Sequence, residues 1–292
     1  MALRPIAPSG GGAGIESTIF NGSAIPMDLK AHSEPGGIAA SGPGTGRDKG
    51  EEIMARKRAT IVIVPGAWVG GWRWRTLADD LRDRGHYVFT PTLTGLGERA
   101  HLTSPAVNLS LHAQDIANVI KYEQLENILL VGHSYGGMPV SVATELVPEG
   151  IIQSILYLDA FYPEDGQSLN DLVPGPPHLP PEGEEYLVPP PRMNAVGFNA
   201  HMTPEARAAY EERRTPQSVY CFSEKARLSG ARERIAQKTY VIATGYQNDT
   251  FGPVAAKLRE RPDWRVEEMP FTHDLQHVAA KETADMIESA LP

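Results

Sequence analysis

The stretch Ile128-Leu-Leu-Val-Gly-His-Ser-Tyr-Gly-Gly137 constrains this chain more than any other. An apolar run ends at Val131, and Gly132-His133-Ser134-Tyr135-Gly136 then forms a G-x-S-x-G pattern that leads into a helical segment from Gly137 to Val147. A strand, a sharp turn and a helix in that order lift a serine hydroxyl above the end of a sheet, the arrangement called a nucleophile elbow. The turn is so tight that its flanking positions need almost no side chain, which accounts for Gly132 and Gly136. The N–H groups that follow Ser134 open a helix, where negative charge is favoured.

The same alternation runs through most of the chain. Ile61-Val-Ile-Val64 is apolar throughout, as a strand covered on both faces must be. After the loop Pro65-Gly-Ala-Trp-Val-Gly-Gly71, Trp74, Leu77, Ala78 and Leu81 recur at helical spacing, and Gly85 closes the helix. Strands are expected at 87–89, 127–131, 155–158, 240–243 and 264–266. Helices are expected after Ser110 as N-cap, over 137–147, about 252–260 and about 281–291. Strands alternating with amphipathic helices define an α/β fold with a mainly parallel, doubly wound sheet, and reactive loops at the carboxyl ends of its strands. The core is expected to comprise 59–160 and 237–292.

Two stretches break the rhythm. Residues 1–58 are rich in Gly, Ser and Pro and bury too little apolar surface to offset their ordering entropy, so an irregular tail is expected. Within it, Ile19, Phe20, Ile25 and Met27 could dock on the domain or on a second copy, which leaves a homodimer open. Met54 reads as an alternative start, with residues 1–53 dispensable for catalysis. The second stretch, 161–236, contains Pro174-Gly-Pro-Pro-His-Leu-Pro-Pro181 and Val188-Pro-Pro-Pro191, which exclude core strands and helix interiors. Helical patterns return at 204–214 and near 223–235. Its position between two strands predicts an inserted cap, whose aromatic residues, among them Phe161, Tyr162, Phe198 and Phe222, wall a pocket or pack on one another.

Composition narrows the function. A net charge of −9 argues against nucleic acid and anionic membrane surfaces as partners. Cys221 is the only cysteine, so an internal disulfide and Cys-cluster metal sites are excluded. No metal-ligand spacing and no phosphate-binding glycine loop occurs. No apolar run is long enough to cross a bilayer and no signal-peptide pattern opens the chain, so a cytoplasmic protein is expected.

A serine hydroxyl needs a base within hydrogen-bond reach, and the base needs a third group to orient it. His273, in Phe271-Thr-His-Asp274 after the last strand, is the preferred base, and His277 competes with it. For the acid, Asp159 ends an otherwise apolar strand, where an ionised carboxylate needs a partner, while Asp249 follows the penultimate strand. The choice falls narrowly on Asp159. The N–H groups of Tyr135 and Ala67 are the expected oxyanion donors. Trp68, His133 and Phe161 are the residues expected to contact substrate.

Val64-Pro-Gly-Ala-Trp-Val-Gly-Gly-Trp72, Thr92-Leu-Thr-Gly-Leu-Gly-Glu-Arg99, Gly132-His-Ser-Tyr-Gly-Gly137, Tyr157-Leu-Asp-Ala160 and Thr272-His-Asp274 together resemble the α/β-hydrolase superfamily. They are especially similar to small bacterial esterases akin to plant methyl-salicylate esterases and hydroxynitrile lyases. The resemblance covers roughly residues 60–292 and implies an α/β-hydrolase fold and a Ser–His–Asp mechanism without metal or organic cofactor, with Ser134 and His273 at matching positions. Two departures stand out. Pro65 replaces a histidine common before the oxyanion-loop glycine, and Tyr246 stands where plant relatives have their acid. The implied activity is hydrolysis of small to medium apolar or aromatic esters. The alternatives are a hydroxynitrile-type lyase, which needs an added cation such as Lys225 or Lys238, and a non-catalytic small-molecule binder.

Overall fold

The computed structural model describes residues 58–191 and 202–292. The tail expected over 1–58 therefore lies outside the described residues except for Arg58, and so does Phe198. Strands β1 (Thr60–Val64), β2 (Tyr87–Phe89), β3 (Ile128–Ser134) and β4 (Ile152–Ala160) come first. A short pair follows, β5 (Leu187–Val188) and β6 (Gln217–Ser218), and then β7 (Gln237–Ala243) and β8 (Arg265–Met269). Six of them form one sheet in the order β2-β1-β3-β4-β7-β8, with every pairing parallel. β5 and β6 pair antiparallel and apart from it. The helices of seven or more residues are α1 (Arg75–Asp83), α2 (Leu109–Tyr122), α3 (Gly137–Ala143), α4 (Pro204–Glu212), α5 (Gly252–Arg259) and α6 (Ala280–Ser289).

The period-two alternation of the strands sorts the core into two layers. Val62, Val64, Ile128, Leu130, Ile155 and Tyr157 face the side covered by α2, α3 and α5. Ile61, Ile63, Leu129, Val131, Leu156 and Leu158 face Leu77 and Leu81 of α1 and Ala284 and Ile287 of α6. Each of these large side chains is almost wholly removed from water, a contribution of about 1.5–3 kcal/mol apiece. With both faces of the central strands covered, their carboxyl ends are where polar side chains can gather.

Some boundaries differ from expectation. The N-cap of α2 is Asn108, whose side chain accepts the Leu111 N–H at 2.9 Å. Ser110 instead binds Glu224 through both its N–H and its hydroxyl. α3 stops at Ala143 rather than 147. The pattern near 223–235 resolves into a short helix, Tyr220–Ser223, and one tight turn, Arg232–Arg234.

Candidate active site

Ser134 is the last residue of β3 and holds φ at 54°. Left-handed backbone at a non-glycine residue costs about 1–2 kcal/mol and persists only where the surroundings enforce it. Here the enforcement is close packing. A Cβ on Gly136 would stand 2.5 Å from Val64 O and 2.8 Å from Pro65 O, and one on Gly137 would collide with Phe161 O. Only glycines let the chain reverse between β1 and β4.

Asp159 lies on the adjacent strand, one residue before the end of β4, also with a positive φ, 43°. The β3–β4 register shifts between His133 and Ser134, which brings Ser134 opposite Ala160, and Phe161 N–H donates to Ser134 O at 3.0 Å. The Asp159 side chain is fully buried. Its Oδ2 accepts from His273 Nδ1 at 2.6 Å and from the Tyr246 hydroxyl at 2.6 Å. Its Oδ1 accepts from Ala243 N–H at 3.0 Å and Asn248 Nδ2 at 2.8 Å. Burial pushes the carboxyl pKa up, but the His273 bond and charge, the Tyr246 hydroxyl and the Ala243 N–H more than offset this, and the net shift is downward. An ionised carboxylate only accepts, so Nδ1 of His273 carries a proton and Nε2 is the ring nitrogen that bears the lone pair.

His133 lies beneath His273, with ring centroids 4.7 Å apart and its Nε2 donating to His273 O at 2.9 Å. It also meets Trp74 edge-on and is 5% exposed, so the expected substrate contact is replaced by a supporting one. Burial and the neighbouring His273 push its pKa down to about 3, which keeps it neutral. Phe251 also stacks on His273, at 5.5 Å and 12°. Phe161 packs edge-on against Phe251 at 5.0 Å.

The loop after β1 presses on the nucleophile, since a Cβ on Gly66 would stand 3.1 Å from Ser134 Cβ. Trp68 has φ 62°, its N–H is taken by Gln217 Oε1 at 2.9 Å, and its indole donates to Val188 O at 3.1 Å. No acceptor among the described residues takes the N–H of Ala67 or of Tyr135. The Trp68 ring meets His178 and Phe222 at 5.6 and 5.4 Å. Tyr135 is anchored from below. His112 Nε2 donates to Thr94 O at 2.8 Å, so Nδ1 is the acceptor for the Tyr135 hydroxyl at 2.8 Å.

The competing residues lie elsewhere. Asp249 is exposed and accepts from Gln247 Nε2 at 2.8 Å. His277 is exposed on the short helix Leu275–Val278. Asp274 pairs with Arg73. Lys225 pairs with Asp171, and Lys238 donates to Glu233 O and Ile235 O, so neither stands beside Ser134. Burial pushes the Cys221 thiol up to about 12, which leaves no thiolate for chemistry. Among the described residues no cluster could hold a metal, and no helix is long and apolar enough to cross a membrane. Asn248 and Phe251 have no place in the sequence reading, and Tyr246 enters it only as the residue standing where plant relatives have their acid. The segment Thr244-Gly-Tyr-Gln-Asn-Asp249 was within view, but only its carboxylate looked like a triad member.

A serine at an elbow, with a carboxylate from the adjacent strand end and an imidazole from the loop after the edge strand β8 of a parallel sheet, defines the site of an α/β hydrolase. The chain belongs to that family: the profile of the alpha/beta hydrolase family matches residues 61–286. It is 36% identical over 243 residues to a carbendazim hydrolyzing esterase of Nocardioides sp. (strain SG-4G), spanning 78% of this chain and 98% of that protein. It is 28% identical over 116 residues to polyneuridine aldehyde esterase of Rauvolfia serpentina, spanning 39% of this chain and 44% of that one. Among solved structures, an extracellular alpha/beta-hydrolase from a Paenibacillus species superposes with a TM-score of 0.66 at 23% identity, over 80% of this chain and 98% of that one. The protein is a hydrolase of the esterase type.

Proposed function

We propose that the protein hydrolyses carboxylic esters through an acyl-enzyme on Ser134, with His273 as base and Asp159 as the orienting acid. In the first half-reaction Ser134 Oγ attacks the ester carbonyl and His273 Nε2 takes the hydroxyl proton. The tetrahedral oxyanion is held by the Ala67 and Tyr135 N–H groups, and the collapse expels the alcohol, protonated by His273. Water then attacks the acyl-enzyme with His273 again as base, releasing the acid and restoring Ser134. The observation that carries this reading is the 2.6 Å bond from His273 Nδ1 to a buried, ionised Asp159 on the strand next to Ser134. The N–H groups of Ala67 and Tyr135, without acceptors among the described residues, support the oxyanion assignment.

Trp68, Phe161 and the segment 161–236, read as a cap, would form the walls of the substrate site and suit a small to medium apolar or aromatic ester. Carbendazim joins the first panel of substrates because the Nocardioides relative is named for hydrolysing it. The lyase reading loses its support with the two candidate lysines committed elsewhere. The test is hydrolysis of p-nitrophenyl esters and carbendazim by the wild type and Ser134→Ala, with intact-mass detection of an organophosphate adduct on Ser134. Turnover by Ser134→Ala at the wild-type rate, or an adduct elsewhere, would overturn the proposal.

A further inference from the structure

We infer that Tyr246 and Asn248 are positioning residues that hold Asp159 and, through it, set the strength of its bond to His273. This rests on the reading of Asp159 as the acid. The last residue of β7 and the turn that follows it do most of the holding. From them, Ala243 N–H and Asn248 Nδ2 reach Asp159 Oδ1, and the Tyr246 hydroxyl reaches Oδ2. Asn248 is itself fixed, donating to Ala243 O at 3.2 Å and accepting from Phe251 N–H at 2.9 Å. Phe251 closes the turn by stacking on His273. The clamp therefore grips the carboxylate at both oxygens and the imidazole on its face.

The two donors at Oδ2 compete for the same oxygen. The His273 Nδ1–H bond to Oδ2 strengthens when Nε2 takes the serine proton in the reaction. The Tyr246 bond draws charge from the same oxygen and weakens that effect. Tyr246 thereby limits how tightly Asp159 holds the His273 ring. The other groups around the pair leave this balance to Tyr246. His133 is neutral, Arg73 is matched by Asp274, and the Tyr240 hydroxyl donates to Ala160 O at 2.7 Å.

The experiment measures pH profiles of kcat/KM for wild type, Tyr246→Phe, Asn248→Ala, Asp159→Asn and the Asp159→Asn/Tyr246→Phe double variant. Tyr246→Phe is expected to move the acid limb up by ~0.5–1 pH unit and to lower plateau kcat ~3–10-fold with KM unchanged. Asn248→Ala moves the limb in the same direction, which keeps the test decisive if Tyr246→Phe does not fold. In the Asp159→Asn background Tyr246→Phe should add nothing, because the two act as one unit. If Asp159→Asn is inactive while the limb stays put in Tyr246→Phe and Asn248→Ala, this inference falls and the triad reading stands. A further loss in the double variant also overturns it, by showing that Tyr246 acts outside Asp159. If Asp159→Asn keeps wild-type turnover, the triad reading fails and this inference falls with it.

Discussion

Replacing Asp159 by asparagine changes almost no volume and removes one charge, and the geometry says what should follow. Each carboxylate oxygen accepts two hydrogen bonds: His273 and Tyr246 at Oδ2, Ala243 and Asn248 at Oδ1. An amide must turn its NH2 toward one of these pairs of donors. Facing Ala243 and Asn248, it would leave a fixed backbone N–H without an acceptor. Facing His273 it does better, because the imidazole can shift its proton to Nε2 and accept through Nδ1, while the Tyr246 hydroxyl swings aside. Stability then drops by the cost of about one unsatisfied buried donor, about 1–3 kcal/mol. That lowers the melting midpoint by roughly 2–12 °C at about 2–4 °C per kcal/mol for a chain of this size class. Turnover falls far more, by about 10,000-fold, since the nitrogen that should take the serine proton already holds one. The assay pairs thermal melts with p-nitrophenyl acetate hydrolysis, using Asp249→Asn as the control. Asp249 is exposed, so its variant should stay within about 0.5 kcal/mol and keep its turnover. A folded Asp159→Asn enzyme within tenfold of wild type, or an Asp249→Asn enzyme that is inactive, would refute the reasoning.

His112→Phe strands the Tyr135 hydroxyl and Thr94 O in the interior and should cost about 1–3 kcal/mol for each, read by urea unfolding; an unchanged midpoint would contradict the buried network. The two buried histidines also predict acid sensitivity. The pKa values of His112 and His133 are lowered in the folded protein, to about 4 and about 3, so on acidification the unfolded chain takes up protons first. Their contribution to stability is fully present above about pH 6.5 and is lost at about 1.4 kcal/mol per pH unit for each as the pH falls toward 4. Urea midpoints that stay level between pH 6.5 and 4.5 would rule this out, and His133→Gln should halve the slope.

The parts that were readable from sequence owe their visibility to strong local constraints. Ile61–Val64, Leu129–Val131 and Ile155–Leu158 are apolar without interruption, and that is required only of strands covered on both faces. Asp159 stood out because a carboxylate in such a run needs a partner, which the structure supplies in His273. The helix caps were harder. Asn108 and Ser110 are equally good N-caps by type, and the choice between them was made by Glu224, 114 residues away, which takes Ser110. The roles of Tyr246 and Asn248 as donors to Asp159 were invisible for a related reason. Neutral donors in a loop carry no signature until a distant carboxylate is folded against them.

Ser134 sits in a left-handed backbone that costs about 1–2 kcal/mol with any L side chain and that only glycine adopts freely. The elbow and its nucleophile therefore pull against each other. Ser134→Gly should melt above both the wild type and Ser134→Ala, because the alanine variant loses the hydroxyl and keeps the strain. A library of this protein selected for heat resistance alone would thus be drawn toward erasing its own reactive residue. Any programme to harden the molecule has to score turnover alongside survival.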